Sequence, residues 1–138
     1  MKQILQNINK VEFIETRRLH NIVLLSDHEV NLRYWRNFKE ICIVGLADME
    51  VADTEENGSR LTTVKLSFRI ASDFQLDNRR LAWRVTTVTG EQYLIGIDEQ
   101  PYPIVTFSDS FPDKPTSPGG KTITVTWQTP LNLLKIMG

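Results

Sequence analysis

From Leu61 to Ile70 the chain alternates. Thr62, Val64, Leu66, Phe68 and Ile70 fall on one side of an extended backbone, and Leu61, Thr63, Lys65, Ser67 and Arg69 on the other. Successive side chains of a strand point to opposite faces, so this pattern predicts a half-buried strand over residues 61–70. KTITVTWQ repeats it, with Ile123, Val125 and Trp127 against Thr122, Thr124 and Thr126. The many β-branched residues there favour a pleated surface.

Turn chemistry orders the rest. Asn57-Gly58 can supply the positive backbone angles of a hairpin turn between the run ICIVGLADMEV and the strand at 61–70. Gly90 turns LAWRVTTV back onto QYLIGI, and SDFQLDNRR has the composition of a link between the two hairpins. ICIVGL is apolar at both parities, which predicts a central strand covered on two sides, although a short buried run does not by itself exclude a helix. KVEFIET and HNIVLLS are further strand candidates separated by Arg17-Arg18, and LNLLKI after Pro130 reads as a last short strand. In HEVNLRYWRNFKE, Leu32, Trp35 and Lys39 have the spacing of a short helix. Eight strand candidates and at most one or two short helices predict a mainly β fold: a single-domain antiparallel β-sandwich or barrel-like structure. No βαβ alternation supports a parallel nucleotide-binding sheet.

A length of 138 residues suits one domain, taken as residues 1–138. The formal charge of −1 provides no overall positive field, which argues against nucleic acid as the partner. Cys42 is the sole cysteine, so no intrachain disulfide can form, and its apolar neighbours predict a small buried side chain. MKQILQNINK lacks the apolar core of a signal peptide, and no run of apolar residues is long enough to span a bilayer. The expectation is a soluble chain, cytoplasmic when synthesised and with no membrane partner.

The search for chemistry returns little. The sequence carries no phosphate loop, GxSxG elbow, HExxH or EF-hand pattern, and no Cys/His zinc spacing. No metal, cofactor or catalytic residue is therefore assigned, and the chain is expected not to be an enzyme. Ser26-Asp27-His28 holds the residue types of a hydrolase triad, but consecutive side chains cannot converge in the way that mechanism requires. Asp48, Glu50, Asp53, Glu55 and Glu56 surround one turn, and Asp98, Glu99, Asp109 and Asp113 another segment. Neither spacing is diagnostic for calcium or glycoside hydrolysis, and solvated loops collect carboxylates for solubility alone. Arg33, Trp35 and Arg36 in RYWRNF could stack on a single nucleic-acid strand, serve a protein interface, or simply pack on the domain.

The segment YLIGIDEQPYPIVTFSDSFPDKP is the most distinctive. Pro101 and Pro103 fix their own backbones and bias Gln100 and Tyr102 towards extended geometry. Residues 98–120 read as a long proline-rich loop or arm, with regular structure suggested only at IVTF, and such loops often bind. It presents Tyr102, Phe107 and Phe111, which either dock on another macromolecule or fold back to cap an open end of the domain.

The half of the chain from Arg80 to Ile136 resembles small prophage-type proteins of the virion, the tail and head–tail connector components. The resemblance rests on a Y-L-I-G strand at residues 93–96, a P-Y-P segment at 101–103, a closing strand at 121–127 and a terminal apolar tail at 131–136. It implies a structural part that contacts other copies of itself, as a homo-oligomer, or other virion structural proteins. The alternative is a carbohydrate-binding or glycan-processing β-sandwich module, in which exposed aromatics stack on sugar rings.

Overall fold

In a computed structural model that describes residues 2–19, 22–26, 28–33, 37–56, 58–70, 80–110, 120–131 and 133–137, the expected alternation is realised as strands. In chain order these are β1 (Lys2–Glu15), β2 (Val23–Leu24), β3 (Glu29–Asn31), β4 (Lys39–Ile41), β5 (Ala47–Glu56) and β6 (Ser59–Ile70). There follow β7 (Leu81–Thr87), β8 (Gln92–Ile95), β9 (Ile104–Ser110), β10 (Gly120–Thr129) and β11 (Leu134–Ile136). One 3-10 turn, Thr16–Leu19, holds the Arg17-Arg18 pair between β1 and β2, and no other helix occurs among the described residues. The described ends of the segment read as a short helix are strands instead, Glu29–Asn31 in β3 and Lys39 at the start of β4, and positions 34–36 between them lie outside those described.

The eleven strands form one mixed, mostly antiparallel sheet in the order β2-β3-β11-β8-β7-β1-β5-β6-β10-β9, with β4 paired to β1 beside that path. Of the two β architectures expected, the barrel-like one is found, as a curled half-barrel. The curl is visible in its core. Strands β7 and β6 stand three steps apart, about 14 Å in a flat sheet. Yet the rings of Trp83 on β7 and Phe68 on β6 lie 5.8 Å apart, and Phe13 on β1 lies 5.7 Å from Trp83. Phe13 is the direct cross-strand partner of Trp83, but only a sheet rolled around its own inner face brings Trp83 and Phe68 together.

The alternating positions behave as the pattern requires. Thr62, Val64, Leu66, Phe68 and Ile70 are buried, as are Ile123, Val125, Trp127 and Thr129 on β10, each row opposite the other in register. Gly58 closes the β5–β6 hairpin at φ 78° and Gly90 the β7–β8 hairpin at φ 93°, the left-handed region that glycine enters without penalty. Gly96 answers a different need. An added Cβ there would sit 2.7 Å from Cγ of Pro103, so the chain leaving β8 can pass beneath the proline segment only without a side chain.

Two expectations are corrected here. ICIVGL is not a central strand covered on both sides. Only Ile41 belongs to β4; Gly45 takes φ 76°, Val44 and Leu46 are 50% and 52% exposed, and Cys42 is exposed too. The strands buried on both faces are β7, where Ala82 and Trp83 are fully covered, and β8, where Leu94 and Ile95 are. The second correction concerns residues 98–120. Residues 104–110 form β9, paired with β10 from Ile104↔Thr126 to Ser110↔Gly120, so the irregular part before it is short.

The face of β1 and β7 away from Trp83 carries charge. Glu12 and Arg84 are direct cross-strand partners, and the guanidinium donates to both carboxylate oxygens at 3.0 and 2.7 Å. Phe38 lies under it, 4.1 Å from Cζ to the ring centroid. Lys10 and Glu40, 3.7 Å apart, extend the row into solvent.

Tyr93 on β8 gives a pH dependence. Burial, with a hydrogen bond from its hydroxyl to Glu91 Oε2 at 2.8 Å, pushes the phenol up to about 12 from 10.0. Above pH 10 the unfolded chain releases this proton while the folded one keeps it. Stability therefore falls as pH climbs through that window and levels off beyond about 12. Urea midpoints across the range should decline in the wild type and decline less in Tyr93→Phe; equal slopes would contradict this assignment.

Candidate docking surface

The sheet does not close, so it has two ends. At one, β2 is two residues long, and Val23, Leu24 and Leu25 are all exposed. At the other stands β9, seven residues long, and no described strand pairs with it on the side away from β10. An edge strand of that length presents a row of backbone donors and acceptors to any extended chain. Natural edges are commonly blunted by lysine, proline or a bulge. From Ile104 to Ser108 the sequence IVTFS has no charge and no proline, and its register with β10 is unbroken.

The side chains of β9 divide by parity. Val105 and Phe107 continue the inner rows of Val125 and Ile123, their register partners, while Ile104 and Thr106 lie on the outer face with Thr126 and Thr124. Ile123 and Val125 are fully buried, yet Phe107 beside them is 46% exposed and Ile104 65% exposed. The core thus thins out at this edge, and apolar surface continues past its last strand.

The segment leading into β9 is held firmly. Trp127 Nε1 donates to the carbonyl of Pro101 at 3.0 Å. The guanidinium of Arg80 covers one face of the Tyr102 ring, with Cζ 4.4 Å from its centroid. Tyr102 is half-buried, and its role here is to anchor the start of the edge. That ring is correspondingly less suited to stack on a sugar.

Of the other binding residues singled out in the sequence, only Arg33 is described, and it lies away from this edge. Phe111, Trp35 and Arg36 lie outside the described residues. Arg33 is exposed with φ 65°, and its backbone N–H donates to Asn31 Oδ1 at 2.7 Å, beside β3 at the far end of the sheet. Sequence reasoning named Phe107 but missed Ile104 and Val105, whose signal was the uncharged alternation at IVTFS.

The acidic residues of β5 do not converge. Asp48 and Glu50 take one parity and Asp53 and Glu55 the other, so the pleat sends them to opposite faces. Asp53 accepts from Thr62 Oγ1 at 2.8 Å and from Arg60 Nη2 at 3.0 Å, which holds its carboxyl below the usual carboxylate range. No group of three or more His, Cys, Asp or Glu placed to hold a metal ion occurs among the described residues.

Ser26 and His28 meet, though not in the arrangement that a hydrolase triad requires, and Asp27 lies outside the described residues. Ser26 Oγ lies 3.3 Å from His28 Nδ1, and His28 Nε2 lies 3.4 Å from Glu29 Oε1. The hydroxyl also accepts the backbone N–H of His28 at 3.3 Å, the geometry of a serine turn. The imidazole is 58% exposed, so water surrounds the contact instead of a shaped cleft.

No family model, characterised protein or solved structure matches the chain.

Proposed function

We propose that the chain is a non-enzymatic assembly domain that joins copies of itself, or other structural proteins, by strand addition at β9. One observation carries the reading: a seven-residue edge strand whose first five residues, Ile104 to Ser108, carry no charge, with Ile104 and Phe107 open to solvent. Backbone pairing supplies the geometry, at about 0.5–1.5 kcal/mol net for each hydrogen bond formed. Covering what remains exposed of the two apolar side chains, 65% of Ile104 and 46% of Phe107, adds at most about 1–2 kcal/mol each, before the entropic cost of association. The anchored segment before β9 supports the same reading, since a rigid edge loses little freedom on pairing. In its most specific form the protein is a part of a virion tail or head–tail connector, as its resemblance to prophage-type proteins implies.

Hydrogen exchange over residues 104–110 tests the edge. In protein purified alone and after co-expression with the products of neighbouring genes, at least one preparation should protect β9 beyond what pairing to β10 gives. The double variant Ile104→Lys/Phe107→Lys should remove that extra protection and leave β6 and β10 as they were. Equal exchange in wild type and variant under every condition would refute strand addition.

A further inference from the structure

Resting on that edge-strand reading, we infer that the strand received by β9 is β9 of a second copy, antiparallel about a twofold axis through Thr106. Three observations select this partner and register.

The first is charge. A strand paired with itself sets every side chain against its own type or a near neighbour, so a charged edge repels its copy. The stretch from Ile104 to Ser108 has no charge to repel.

The second is parity. In an antiparallel pair, residues opposite each other share a face, so an inner residue must meet an inner residue. With the axis at Thr106, Val105 meets Phe107 of the second copy and Phe107 meets its Val105, while Ile104 meets Ser108. Both inner pairs are aromatic against β-branched, a favourable cross-strand combination. They extend the buried rows of Ile123 and Val125 across the boundary. An axis at Val105 would place Phe107 opposite Pro103, which has no N–H to donate. An axis at Phe107 would place Val105 opposite Asp109, a carboxylate position, in an apolar row. The centre at Thr106 avoids both.

The third is length. The sheet's other end, β2, offers only two paired residues, too few to fill a seven-residue edge. A head-to-tail contact between β2 and β9 would also leave an end open at every step, whereas the twofold contact closes at two copies.

Disulfide trapping in a Cys42→Ser background reads the register. Cys42 is exposed and is the sole cysteine, so its removal leaves the introduced thiol alone. Thr106→Cys should oxidise to a linked dimer, because opposed positions in an antiparallel pair have Cα atoms about 4.5–5.5 Å apart, within disulfide reach. Ile104→Cys should not, because its copy would lie about 13 Å away along the strand. Light scattering should give twice the chain mass for the unmodified protein and the single mass for Ile104→Lys/Phe107→Lys. A monomer with no trapping at Thr106, linkage at Ile104 in preference to Thr106, or a series of masses beyond the dimer would each overturn the twofold pairing. If self-pairing fails while a co-expressed partner still protects β9, the partner identity falls and the edge reading stands.

Discussion

Replacement of Glu12 by alanine is expected to destabilise the domain by about 3–5 kcal/mol, measured by urea unfolding, because it leaves the Arg84 guanidinium buried without a counter-charge. The magnitude follows from burial. The side chains of Glu12 and Arg84 are 7% and 19% exposed, and both carboxylate oxygens are engaged. An exposed pair of the same geometry would contribute about 0–1 kcal/mol. Because Arg84 keeps some access to water, the lower part of the range is the better expectation. Phe38, stacked under the guanidinium, cannot accept a hydrogen bond in place of the lost carboxylate. The double change Glu12→Leu/Arg84→Met removes the stranded charge together with the pair and should recover most of the loss. A cost below about 1 kcal/mol for Glu12→Ala would show that water reaches the pair freely.

Trp83→Ala should cost about as much, roughly 3–5 kcal/mol, for a different reason. The indole is fully buried between Phe13 and Phe68 and joins walls of the curled sheet that are distant along it. Its removal opens a cavity that stiff, sheet-bound neighbours cannot fill. Trp83 Nε1 is also the one buried side-chain polar atom without a hydrogen-bond partner among the described residues. Trp83→Phe deletes that unsatisfied donor while keeping one aromatic ring, so the gain offsets part of the lost volume. The expected loss for phenylalanine is under about 1.5 kcal/mol, as for tolerated apolar exchanges. Calorimetry or urea titration of both variants compares the two effects directly. Equal costs for alanine and phenylalanine would mean that the indole N–H is satisfied, by an internal water for example.

The elements legible from the chain were those whose surroundings differ between the two faces. β6 and β10 each have a polar outer face and an apolar inner one, and their alternation survives in the residue order. Hairpin turns were legible because Gly58 and Gly90 meet a steric demand that few other residues can. ICIVGL misled because an unbroken apolar run carries no parity, and the bend at Gly45 turns Val44 and Leu46 outwards. β9 was obscured by the prolines before it and by the serines and aspartate within FSDS. Its pattern is also weak for a physical reason. An edge strand has one sheet neighbour, so its inner residues are only partly covered and polar ones are tolerated. The candidate surface was visible in part: Phe107 could be named from the chain, but its place on an edge follows from the strand order alone.

The position of β11 sets which part of the sheet opens first. It lies between β8 and β3, with Leu134 opposite Leu94 and with Lys135 and Ile136 parallel to Glu29 and Val30. No other described strand links β2 and β3 to the rest of the sheet. This small flap is latched by three residues from the opposite region of the chain, so closing it costs much loop entropy for few bonds. Amides of β3 should consequently exchange at the rate at which β11 unlatches, well ahead of those in β1, β5 and β6, and the domain would breathe at this seam while its half-barrel stays intact.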